Sequence, residues 1–196
     1  MSTLRAFVEL GFRHITDVGA LDHILFLCAL AAIYRLADWR RALWVISAFT
    51  VGHSITLALA VTGLLALPTP LIEFLIPVTI VATCVENLIV HKRTRAPWGG
   101  RYRPMLAGVF GLVHGAGFAN YLRALFVTPI AVPLFGFNVG IELGQLAVLS
   151  LAALALTLLD RLLSGLFPNP LRVRIVAVST VVLVVAAHWA LERAPW

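Results

Sequence analysis

Ionisable side chains recur in this chain inside runs that are otherwise apolar. Asp22 and His23 open one such run, His53 sits in Thr50-Val51-Gly52-His53-Ser54-Ile55-Thr56, and His114 sits among Gly111, Gly115 and Gly117. Glu86-Asn87 and the set Asn138, Glu142 and Gln145 interrupt two more. Neutral imidazole together with carboxylate is a ligand set for Ni2+, Co2+, Zn2+ or Cu2+. Adjacent residues point about 100° apart on a helix, so Asp22 and His23 either serve successive sites or one orients the other. Asn138, Glu142 and Gln145 are spaced i, i+4, i+7 and share a helical face. That face can coordinate an ion and also hydrogen-bond a residue that does.

The elements that must carry these residues are membrane helices. Of 196 residues, 61% are hydrophobic and only 12% charged, and the mean hydropathy is +0.97. This excludes a disordered chain, a disulfide scaffold and an ordinary water-soluble enzyme. A bilayer core of roughly 30 Å needs about 20 apolar residues per helix. Six spans are expected, near 18–35, 42–64, 71–91, 104–122, 131–159 and 173–191. Runs of this length satisfy their backbones as helices, so the class is all-α, a polytopic bundle of about six transmembrane helices. Pro129, Pro133 and Gly136 predict that the long fifth span begins in a loop or bends. Arg5, Glu9 and Arg13 repeat at i, i+4, i+8 opposite Leu4, Phe7, Val8 and Phe12, which predicts an interfacial amphipathic segment over 1–17 ahead of a single six-helix domain over 18–196. The same charges interrupt any signal-peptide core. Cys28 and Cys84 are not in a C-x-x-C and read as small buried apolar residues.

The net charge is +6, which raises the question of an anionic partner such as nucleic acid. Eleven of the fifteen Lys and Arg fall on alternating loops: Arg35, Arg40 and Arg41; Lys92, Arg93, Arg95, Arg101 and Arg103; Arg161, Arg172 and Arg174. The positive-inside rule then puts those loops in the cytoplasm and both termini outside. The basic balance reports orientation, and no nucleic-acid partner is expected; lipid and a metal ion are, and a homo-oligomer is compatible with the pattern.

With this orientation His53, His114 and Glu142 each lie roughly 15–16 Å deep at 1.5 Å per residue. Asp22 and His23 are expected nearer the outside and Glu86 nearer the cytoplasm. Membrane helices also pair through His, Asn and Gln, but such bonds average only about 0.6 kcal/mol. An ionisable group at the bilayer centre costs at least about 2.5 kcal/mol, so a set at one depth points to a site. Gly136, Gly140 and Gly144 form a small-residue ridge for close helix approach. Phe49-Thr50-Val51-Gly52 echoes Phe137-Asn138-Val139-Gly140, and Gly11-x-x-His14 echoes Gly111-x-x-His114. Such echoes suit inverted halves around a midplane site.

Five motifs in order carry a resemblance: Gly11-Phe12-Arg13-His14-Ile15, Asp22-His23-Ile24-Leu25-Phe26, Phe49 to Leu57, Phe110 to Ala119 and Phe137 to Gln145. They resemble the HupE/UreJ family of bacterial membrane proteins over residues 10–150. The resemblance implies a small nickel or cobalt permease, multi-pass in the bacterial inner membrane, with Asp22, His23, His53, His114 and Glu142 at the metal. In the family pattern a His precedes the Asp-His pair by a shorter gap than the seven residues between His14 and Asp22. On a straight helix the two extra residues turn His14 by about 200°, so it meets the pair only where the segment is unwound. Asp17 lies on that stretch as a substitute.

The sequence reading is thus a Ni2+ permease, with Co2+, Zn2+ or Cu also compatible. Asp22 and His23 would capture the ion, His53, His114 and Glu142 would hold it, and Glu86 and Asn87 would line the exit, with His14, Asp17, Asn138 and Gln145 in secondary roles. No catalytic residue is assigned. No G-x-x-x-x-G-K-[ST] loop is present, so energy would come from a gradient or a partner. Two rivals stand beside it. One is an intramembrane zinc hydrolase with His23, His53 and His114 as ligands, Glu142 as base and Ser54 at an oxyanion. The other is a metal-delivery or assembly subunit.

Overall fold

The computed structural model describes residues 2–19, 21–91, 102–125 and 130–196. The basic loop with Lys92, Arg93, Arg95, Pro97, Gly99, Gly100 and Arg101 lies outside the described residues, as do Pro129 and the side chain of Arg123. Among the described residues the chain is all-helical: α1 (Thr3–Thr16), α2 (Leu21–Ala31), a 3-10 turn (Leu36–Asp38), α3 (Trp39–Val61), α4 (Thr69–Val90), α5 (Tyr102–Leu125), α6 (Ala131–Ser164) and α7 (Pro170–Glu192). Among the described residues four stretches are long and apolar enough to cross a membrane: Leu36–Val61, Thr69–Val90, Ala131–Ser164 and Pro170–Glu192. A fifth follows if α1 and α2, which meet at a bend of 67°, cross as one.

Local chemistry sets the ends. The Ser2 hydroxyl accepts the Arg5 N–H and starts α1, and the Asn169 side chain does the same for α7 from Arg172. Pro170 occupies the first turn of α7, where its missing N–H costs nothing. Gly63, at φ 78°, follows α3 in the left-handed conformation that glycine adopts freely. The Asp17 carboxylate accepts the Gly19 N–H at 2.8 Å, an Asx turn that breaks the chain between α1 and α2.

The segment expected to lie in the interface is α1, which packs lengthwise on α6 and buries Gly11 and Ile15. The contacts rise together along both helices: Gly136 meets Leu4, Gly140 meets Val8 and Phe12, and Gly144 meets Phe12 and Ile15. The two helices therefore run parallel. α3 and α5 form a second parallel pair in the same register. A Cβ on Gly11 would strike the Phe137 carbonyl and approach the Ile141 nitrogen, and one on Gly111 would strike the Phe49 carbonyl and approach the His53 nitrogen. A Cβ on Gly140 would strike the Val8 carbonyl and approach the Phe12 nitrogen, and one on Gly52 would strike the Gly108 carbonyl and approach the Leu112 nitrogen. The sequence echoes are thus repeated contacts: α1 on α6 matches α5 on α3. His14 and His114 hold equivalent positions, three residues after the glycine of each pair.

Two apolar clusters fill the interior. One gathers Phe26, Phe49, Ile80, Cys84 and Val182; the other gathers Ile15, Leu27, Leu57, Leu122, Phe137 and Ile141. The histidines lie between them.

Candidate metal centre

Four helices each deliver one histidine to the same place: His14 from α1, His23 from α2, His53 from α3 and His114 from α5. One ring nitrogen of each of His14, His23 and His53 lies within 4.8 Å of the other two. His14 and His23 rings are 4.6 Å apart, His14 and His53 6.1 Å, and His23 and His53 6.2 Å. His114 joins from the side, its ring 5.2 Å from that of His23. His53 is fully buried, His23 and His114 are buried, and His14 is half-buried.

Close backbone approach makes this convergence feasible. Gly111 and Gly115 press against the backbone of His53, so α3 and α5 touch at the level of the site. Aromatic rings close its flanks. Phe118 lies 3.9 Å from His14 and stacks on Phe137, while Phe26 and Phe49 each lie 5.2 Å from His114.

Both nitrogens of His23 and of His53, Nε2 of His14 and Nδ1 of His114 are buried without a hydrogen-bond partner among the described residues. Buried polar atoms are bonded in the large majority of cases, so six such atoms in one cluster require a cause. A cation held by these nitrogens would supply one. The remaining His114 nitrogen, Nε2, lies 2.9 Å from the Thr79 hydroxyl of α4.

The break between α1 and α2 explains His14. It unwinds the stretch that on a straight helix would turn His14 away, so His14 joins His23 directly. Asp17 spends its carboxylate on the turn and is exposed. His23, expected nearer the outside than His53, has its ring 6.2 Å from that of His53. Asp22 does not accompany its neighbour into the cluster; its carboxylate lies 3.6 Å from Arg193 at the end of α7.

Glu142 is not gathered with the histidines either. It is exposed on α6, about 200° round the helix from Gly140 and Gly144, which face α1. Gln145, on the buried side, accepts the Thr50 hydroxyl at 2.7 Å and has an unpartnered Nε2; Asn138 is half-buried with an unpartnered Oδ1. Glu86 and Asn87, expected along an exit, are held in a buried polar knot. Glu86 pairs with Arg103 and accepts the Tyr102 hydroxyl. Asn87 is fully buried, donates to the Ala29 carbonyl at 2.7 Å and to Ser179, and accepts from Arg103 at 3.0 Å. Thr79 and Arg103 are the residues that reading the sequence missed. Thr79 stands two positions after Pro77 in an apolar run and gives no sign of its partner, and Arg103 reads as one more loop cation.

A family model described as HupE / UreJ protein matches residues 1–193. Neither a curated protein nor a solved structure matches the chain.

Proposed function

The chain belongs to the HupE/UreJ family, and from that membership and the histidine cluster we propose that it is a membrane permease for a divalent transition metal, Ni2+ first and Co2+ next. Its apolar helices and its family make it a multi-pass membrane protein; the bacterial inner membrane is the proposed location. The observation that carries the reading is the meeting of His14, His23 and His53, from three helices, with one ring nitrogen of each within 4.8 Å of the other two and with buried nitrogens that have no hydrogen-bond partner among the described residues. Three neutral imidazoles hold a borderline-soft cation and leave coordination positions open. Cargo must also leave, so an open set suits transport better than a closed tetrahedral one. Asp22 stands one residue from His23 and near Arg193, where it can meet an incoming ion. The Glu86–Arg103–Asn87 knot would have to loosen on the other side for release.

The zinc-hydrolase alternative needs a carboxylate base beside the three imidazoles. Its candidate, Glu142, lies on the outer face of α6, which favours transport. The test is metal accumulation in cells expressing His53→Ala or His23→Ala at wild-type levels. Uptake of Ni2+ should fall to the background of cells lacking the protein. Normal accumulation by either variant would overturn the proposal.

A further inference from the structure

We infer that Thr79 is a positioning residue that fixes the tautomer of His114, so that this ring presents the lone pair of Nδ1, not of Nε2, to the centre. The inference rests on reading the cluster as a cation site. Its core is the position of one proton. The Thr79 hydroxyl oxygen is 2.7 Å from the Ile76 carbonyl oxygen and 2.9 Å from His114 Nε2. A hydroxyl has a single proton, and a carbonyl can only accept. If that proton points to Ile76, the hydroxyl lone pair meets Nε2, which must then carry its own hydrogen. If instead the proton points to Nε2, two oxygen lone pairs are left facing each other at 2.7 Å. The same assignment puts the ring hydrogen on Nδ1, which is buried with no acceptor among the described residues. Such an N–H loses its hydrogen bond to water and gains none in return. Both terms favour Nε2–H, and a neutral ring with hydrogen on Nε2 has a bare Nδ1.

The internal repeat shows that this is particular to one half. His14, at the equivalent position on α1, has an Nε2 with no hydrogen-bond partner among the described residues. The two equivalent histidines thus differ at Nε2, which Thr79 meets in His114 and which has no partner in His14. A hydrogen bond to the non-ligating nitrogen is the usual way a protein sets the tautomer of a metal-binding histidine.

The test reads the tautomer in metal-free, full-length protein uniformly labelled with 15N-histidine, at about pH 8 where imidazole is neutral. The His114 signals are assigned by their loss in His114→Gln. Wild type and Thr79→Ser should show Nε2–H. Thr79→Val, which keeps the branched shape and removes the hydroxyl, should gain the Nδ1–H form. Calorimetric Ni2+ binding should weaken about 10- to 100-fold in Thr79→Val and stay within a few-fold of wild type in Thr79→Ser. An Nδ1–H signature in wild type, an unchanged tautomer in Thr79→Val, or equal weakening in both variants overturns the inference. The wild-type spectrum decides the tautomer even if Thr79→Val does not fold. Absence of Ni2+ binding by wild type would instead defeat the permease reading and leave the tautomer result standing.

Discussion

At the scale of single residues, the histidines that come together were legible and the assignment of polar side chains to helix faces was only partly so. His23, His53 and His114 announce themselves by the cost of an imidazole in an apolar run, and the structure gathers them. His14, given a secondary role in the sequence reading, lies in the close cluster, and Glu142, expected at the metal, lies outside it. The reason is angular. A residue's face depends on every turn between it and its reference point, and one unwound stretch at Asp17 resets the count for His14. Glu142 shares a stripe with Asn138 and Gln145, yet the stripe is wide enough that its edge is exposed while Gln145 is fully buried. The two residues should therefore differ in a binding measurement. In purified protein, His14→Ala removes one of three close nitrogen donors and should weaken Ni2+ binding at least about 10-fold, whereas Glu142→Gln should leave it within about twofold. Calorimetry on both variants checks this, and a Glu142→Gln loss as large as that of His14→Ala would place the carboxylate at the ion.

At the scale of elements, the glycine ridges decide which helices become neighbours. The ridge of Gly136, Gly140 and Gly144 was visible as a pattern, but its partner was not, because α1 reads as an amphipathic surface helix. Its charged face is real: Arg13 pairs with Glu9 at 2.7 Å and both are exposed. Its other face carries Gly11 and Ile15 against α6. A helix can have a solvated stripe and still be integral to the bundle, and periodicity alone does not separate the two cases. The repeat of contacts supplies a matched experiment. Gly11→Ala and Gly111→Ala each drive a methyl into a facing carbonyl, so both helix pairs must part, at a cost of about 1–3 kcal/mol each. Gly108→Ala is the control, since its Cβ would sit 3.5 Å from the Ala48 carbonyl, ordinary contact. Thermal unfolding in detergent should show Gly11→Ala and Gly111→Ala lowered by similar amounts, with Gly108→Ala unchanged or raised, because alanine is the better helix former.

At the scale of the whole molecule, polar contacts sort the helix ends onto two sides. Arg174, near the start of α7, is buried and bonds Asp160 near the end of α6 at 2.5 Å and the Tyr34 carbonyl beyond α2 at 2.7 Å. Arg103, at the start of α5, pairs with Glu86 near the end of α4. One side thus holds the ends of α2, α4 and α6 and the starts of α5 and α7. The opposite side holds the start of α2 and the end of α7, joined by Asp22 and Arg193, with Phe74 of α4 and Trp196 packed 5.4 Å apart. The first side is the one on which the sequence counts eleven of fifteen cations. Arg103 and Arg174 contribute to that count from inside helices, where carbonyl and carboxylate partners make their burial tolerable. The alternation is therefore built into the fold, and only its sense across the membrane rests on charge. The positive-inside rule supplies an expectation for that sense, with the Arg35–Arg41 side toward the cytoplasm. In a Cys28→Ser, Cys84→Ser background, a membrane-impermeant thiol reagent added to intact cells should label Ala66→Cys, between α3 and α4, and should reach Ala37→Cys only after the cells are opened. Labelling in the reverse order would invert the protein, and with it the proposed direction of ion entry past Asp22.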